Sequence, residues 1–227
     1  MGNAFFEEYR AFENELVERF NLHPFFVSFG SLPNEAVMAA LLQLGFISLE
    51  FVRWYERAKL GMTSEEAKEL IRCILRDEIP SRLPTHQDDR LADLLAMGAA
   101  KERVLNEPAS ERTVQTVRTL YELVRYPQES YDLRVLVYLR IFGEILVAET
   151  YGHVVRSMGE RFGLQPECSR FYEPHYRHDD KDEGGHSVKF ERELEKLITD
   201  EHMLALAKSA SEAAFTDRYK FYDQFVE

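Results

Sequence analysis

Apolar residues recur every three or four positions along almost the whole chain, and strict apolar/polar alternation is rare. That period belongs to the α-helix, where positions i, i+3, i+4 and i+7 share a face. Only 11 glycines and 8 prolines interrupt its 227 residues. The pattern predicts an all-α bundle of seven to nine helices in a single domain, residues 1–227. Phe5, Tyr9, Phe12, Leu16 and Phe20 stripe a first helix from about Ala4 to Phe20. The His23-Pro24 connection is itself apolar (Phe25, Phe26, Val27, Phe29) and should pack under the fold. Ser31 and Pro33 announce a long helix that reaches about Leu60 and stops at Gly61. Thr63-Ser64-Glu65-Glu66 reads as a capping box for a helix ending at Ile79-Pro80. Thr85 to Asp88 starts another helix, Ser110 caps one to Arg125, and a long helix runs from Ser130 to a stop at Gly163. A polar helix follows Pro166, and a last one starts near Asp200.

Composition narrows the function classes. With 45% hydrophobic and 12% aromatic residues the chain can fill a core. A net charge of −12 argues against nucleic acid as a partner, which calls for a basic stripe. No apolar run approaches the ~18 residues of a membrane span, and the start Met1-Gly2-Asn3-Ala4 lacks the basic and apolar regions of a signal peptide. Two cysteines, Cys73 and Cys168, make neither a disulfide framework nor a cysteine-rich zinc site. These features point to a cytoplasmic protein without membrane contact.

The chemistry shows where ionisable residues occupy core positions. Ala67, Leu70, Ile71, Ile74 and Leu75 form one apolar stripe, and Glu78 is its next member. Phe142, Ile145 and Leu146 form another, and Glu149 is its next member. A buried carboxylate is costly unless it is paired, protonated or bound to a cation. The alternative for each is to reach water at the end of its stripe or to pair with an arginine.

Three of the seven histidines, His175, His178 and His186, fall within twelve residues. His178, Asp182 and His186 step by four, so one helix would project them from one side. His175, Asp179, Asp182 and His186 fit one face equally well, and periodicity does not choose between the sets. Phe190, Leu194 and Leu197 continue the face of His186 and place it next to core. Gly184-Gly185 disfavours a regular helix and suits a one-residue π-bulge, or else a solvated loop. His86 lies eight residues after Glu78, across the Pro80–Pro84 connection, and can return to the same pocket. Glu183-x-x-His186 is an ExxH pair, but ferritin-type bundles need two copies and only one exists.

Glu78…His86, then Glu149, then a late His-x-x-x-Asp-x-x-x-His resembles the haem-oxygenase-like di-metal oxidases, which share a scaffold with the TenA and PqqC families. The resemblance covers about residues 63 to 200 and includes Ile74-Leu-Arg-Asp-Glu78, Ala148-Glu149 and Phe171-Tyr172. It implies a haem-oxygenase-like helical bundle with metal ligands Glu78, His86, Glu149, His178, Asp182 and His186. The family separates its last Asp and His by two residues where this chain has three, so a bulge at Gly184-Gly185 would restore the spacing. Otherwise His175 and Asp179 are the substitutes. The implied cofactor is Fe(II), two per chain, with manganese accommodated by the same N/O donors and O2 as co-substrate. The implied reaction is N-oxygenation, desaturation or C–C cleavage of a small amino-acid-like or fatty-acid-like substrate. Arg140 or Arg156 could hold its carboxylate, and a homodimer is compatible with the chain.

Three rivals share the scaffold. A TenA-like hydrolase would use a cysteine, and Cys73 lies on the helix of Glu78 but points to another face among core residues. A PqqC-like oxidase would use O2 without metal, and a non-enzymatic interaction protein would keep the bundle alone.

Overall fold

The computed structural model describes residues 3–79, 85–125, 129–179 and 185–226. Among the described residues every regular element is helical: α1 (Ala4–Asn21), α2 (Pro24–Val27), α3 (Asn34–Gly61), α4 (Glu65–Glu78), α5 (His86–Ala96), α6 (Lys101–Asn106) and α7 (Glu111–Leu123). They continue with α8 (Tyr131–Tyr138), a π-helical segment (Leu139–Ile145), α9 (Leu146–Phe162), a 3-10 turn (Pro166–Cys168), α10 (Tyr172–Asp179), α11 (His186–Leu197) and α12 (Glu201–Asp223). The backbone runs through α8, the π segment and α9 without a break, so among the described residues eleven helices stand where seven to nine were expected. Short helices α2 and α6 account for part of the surplus, and the histidine-rich stretch contributes two helices instead of one.

The continuous helix of residues 131–162 is the axis of the molecule. α12 packs along α8 and the π segment, α1 packs on α12 and α9, and α10 lies against α9. On the other side α3 meets α4 and α7, while α11 contacts α4, α8 and the π segment. The core between them is aromatic: Trp54 stands edge-on to Tyr55, Tyr138 and Phe142, and Phe20, Phe25 and Phe26 pack around Tyr222.

Local chemistry explains the helix ends. Thr85 and Asp88 satisfy each other's backbone amides in a capping box. The box expected at Thr63 is a different device: Ser64 is the N-cap of α4, and Thr63 donates from its backbone and hydroxyl to buried Asp132. Gly163 ends α9 at φ 71°, a conformation that costs glycine nothing.

α3 corrects one expectation, since by length and composition it could cross a membrane. Half of its most apolar window is buried against the rest of the fold, which is how a core helix earns the same composition.

Candidate metal centre

Glu78 is the last residue of α4 and His86 the first of α5. The capping box orients the start of α5, so the two side chains meet across the connection, with His86 Nδ1 3.3 Å from Glu78 Oε2. His175 on α10 joins them, and its ring stands edge-on to that of His86 with centroids 4.9 Å apart. One ligand atom from each of Glu78, His86 and His175 lies within 4.8 Å of the others, a spacing that a single cation can draw together.

Buried Asp93 fixes α10. Its carboxylate accepts from the Ser169 hydroxyl and from the backbone amides of Arg170, Phe171 and Tyr172, which pins the chain where α10 begins. One turn later the Phe171 carbonyl accepts from His175 Nδ1 at 2.6 Å. A carbonyl only accepts, so Nδ1 carries the proton and Nε2 keeps its lone pair for a ligand.

Two more buried groups extend the cluster. Glu144 is 2% exposed and His186 1% exposed, with His186 Nδ1 3.4 Å from Glu144 Oε2 and 3.9 Å from Glu78 Oε1. Tyr55 donates to Glu144 Oε1 at 2.7 Å. His186 Nε2 lies 3.3 Å from Asp77 Oδ2, a carboxylate–histidine pairing of the kind that orients metal-ligating imidazoles. Lys189 holds Asp77 in turn at 3.0 Å.

Glu144 comes from the π segment, and that turn decides which glutamate enters the cluster. An i→i+5 turn changes the phase of the helix. It presents Phe142, Gly143, Glu144, Val147 and Tyr151 to the cavity that Glu78, His86 and His175 also line. Glu149, a ligand by sequence, is carried to another face, where its Oε2 accepts from Asn21 at 2.9 Å in a separate cleft with Arg140 and Glu13. Arg140, a candidate for substrate carboxylate, is committed to the fold: it is 5% exposed and makes paired bonds to Glu13 at 2.8 and 3.0 Å. Arg156 is exposed.

Of the other sequence candidates, His175 joins Glu78, His86 and His186. Asp182 and the bulge at Gly184 lie outside the described residues, as do the side chains of His178 and Asp179. The single helix expected to carry this stretch is two helices, and Gly185 is the N-cap of the second.

Electrostatics favour a cation. Burial pushes the Glu78 carboxyl up, but the His86 hydrogen bond and the charges of His175, His86 and His186 outweigh it and hold the group below the ordinary value. The Glu78 hydrogen bond raises His86, while burial lowers His175. Among the described residues the ion pairs of Glu78 and Glu144 are all with histidines. Two inward carboxylates facing imidazoles are the donor set of a hard or borderline divalent ion.

The cluster floors a cavity walled by Leu44, Phe51, Trp54, Phe142 and Phe171. Cys73 is not among its lining residues.

No family model and no curated protein matches the chain. Solved structures match over nearly its full length. A CADD-like protein of unknown function from Nostoc punctiforme PCC 73102 has 15% identity and a TM-score of 0.72, covering 96% of this chain and 97% of that one. A domain of unknown function with a haem-oxygenase-like fold from Shewanella denitrificans OS217 has 13% identity and a TM-score of 0.70, covering 97% and 89%. A TenA family transcription regulator from Silicibacter sp. TM1040 has 14% identity and a TM-score of 0.68, covering 99% and 97%. At such identities the likeness speaks for the fold.

Proposed function

On the haem-oxygenase-like fold that this chain adopts, we propose that it is a cytoplasmic non-haem di-iron oxidoreductase that uses O2 to oxidise a small organic substrate. The observation that carries the reading is the convergence of Glu78, His86, His175, Glu144 and His186, from four helices and a π segment, at the floor of an apolar cavity. Glu78, His86 and His175 would hold one iron. Glu144 and His186 would hold the second, with Glu78 within reach of both. Iron(II) there supplies the capacity to bind and reduce O2 and so to oxidise a molecule in the cavity.

The chain's own residues set the conditions. The Phe171 carbonyl and Asp77 orient His175 and His186, and Tyr55 holds Glu144 in one rotamer. Trp54, Phe142 and Phe171 exclude water from the cavity wall, which strengthens every charge interaction inside. A cysteine-dependent hydrolase finds no support, because Cys73 lies away from the cavity lining.

The test is anaerobic titration of the full chain with Fe(II), followed by exposure to O2. Two irons per chain are expected, with a rise in melting temperature, because a ligand bound only by the native state stabilises it. The oxidised protein should then show an iron absorption band. Fewer than about half an equivalent of tightly bound iron with an unchanged melting curve, judged against the mass-action stabilisation, sinks the reading.

A further inference from the structure

The cavity lining also carries two guanidinium groups, Arg218 from α12 and Arg90 from α5. Arg218 is 1% exposed, and its Nε and Nη1 are buried without a hydrogen-bond partner among the described residues. It makes no ion pair there either; its neighbours are rings, with Phe142 4.8 Å from the guanidinium carbon and Phe221 and Tyr222 each at 5.9 Å. Ring faces offset only part of the cost of desolvating a full charge.

Arg90 repeats the pattern. It sits one turn after His86 on α5, and its Nε and Nη1 are likewise buried and unpartnered. Its guanidinium lies across Gly45 of α3, where any Cβ would occupy its space. Tyr151 lines the same cavity as both arginines.

Two guanidinium groups lining one cavity, each with buried donors unused, match an anion that comes from outside the protein. Glu78 and Glu144 belong to the candidate metal centre; outside it and the two arginines the lining is apolar (Leu44, Ile47, Phe51, Trp54) apart from the uncharged Ser48, Gln87 and Tyr151, so no further carboxylate is left for a cationic end of the ligand. We infer that the cavity takes an apolar monocarboxylate, its carboxylate held by Arg218 and Arg90 and its hydrocarbon body lying toward Glu78, His86 and His175. As a substrate class this rests on the oxidoreductase reading; as a binding site it does not. The anchor leaves the reacting carbon, not the acid group, to face the metal ligands.

Trp54 is the only tryptophan in the chain and lines the cavity, so its emission reports occupancy. Octanoate, octanol and octylamine are titrated into the full chain, metal-free and iron-loaded under anaerobic conditions. Octanoate should perturb Trp54 emission saturably in both forms, and the alcohol and amine should bind at least about ten-fold more weakly. Arg218→Met should weaken octanoate on the order of 30-fold or more while iron stoichiometry stays unchanged. Arg90→Met and Gly45→Ala, which crowds Arg90, should each weaken octanoate as well, and they decide the matter if Arg218→Met does not fold. Equal binding of the three probes, or octanoate affinity retained in the arginine variants, overturns the inference. Octanoate binding without iron uptake would overturn the oxidoreductase reading and leave the carboxylate site standing.

Discussion

Single side chains divide the work sharply. Glu144 and Glu149 are five residues apart on one continuous helix, yet one faces the histidines and the other accepts a hydrogen bond from Asn21. Glu144→Gln should therefore lose one iron equivalent, and Glu149→Gln should keep both, as read by iron titration. A second residue-scale device lies apart from the cavity. His153 stacks on Phe26 and its Nε2 meets Asn21 Oδ1 at 3.0 Å. Burial, with Arg156 adding to it, lowers the ring from its ordinary 6.5 to about 4. The unfolded chain takes up that proton as pH falls through 6.5, and the folded chain resists until about 4. Stability therefore drops across that window by an amount on the order of 1 kcal/mol, discounted for the ring's partial access to solvent. His153→Gln should flatten the dependence of the urea midpoint on pH between 6.5 and 4. His23 adds to the same slope, since burial lowers it too. Its Nδ1 must stay unprotonated to accept from the Phe25 amide.

At the scale of elements, the π segment is the part on which the centre depends. It brings Gly143 against the Tyr55 hydroxyl, and a Cβ there would stand 2.8 Å from that oxygen and 3.4 Å from Phe51 Cε2. Tyr55 cannot step aside easily, because it stacks on Phe51 with centroids 4.0 Å apart and packs edge-on to Trp54. Gly143→Ala should cost about 1–3 kcal/mol in urea unfolding. It should also weaken iron at the Glu144 site more than at the Glu78–His86–His175 site, because Tyr55 loses its aim. The start of α10 is a second such part. Asp93 on α5 holds the backbone from which His175 projects, so α5 supplies His86 directly and His175 through α10.

Across the whole molecule, a buried ion pair joins α1, the π segment and α11. Glu13 and Arg140 bond in a two-armed pair, Arg140 donates to the Ser187 carbonyl and hydroxyl, and Glu191 stands 3.8 Å away. Removing one partner strands a buried charge, so Glu13→Ala should destabilise the fold by about 3–5 kcal/mol. Glu13→Leu combined with Arg140→Met should recover most of that loss, and urea midpoints of the three proteins decide it. Ser187 follows His186 directly, so this pair also fixes the register of the helix that delivers a proposed iron ligand.

Helical period, helix ends and the misplaced charges were readable before any fold. Thr85, Ser110 and Gly163 act through their nearest neighbours, so local chemistry suffices to find them. Glu78 and His86 sit on either side of a short connection, and His186 heads an apolar stripe, so each could be singled out from a run of a dozen residues. Three things needed the packed molecule. A π turn leaves no mark in an apolar stripe, because its extra residue is set by what α3 and α12 press against it; Glu149 and Glu144 could not be told apart without it. The histidine spacing fits two faces of one helix, and only the division into α10 and α11, with Asp93 pinning the first, brings His175 to Glu78. Arg140 and Arg218 look alike in sequence, and distant chain tells them apart. Glu13, 127 residues away, pairs with the first, while no carboxylate among the described residues reaches the second. A charge's partner across the fold is a tertiary fact, and the reading of this cavity as an anion site rests on it.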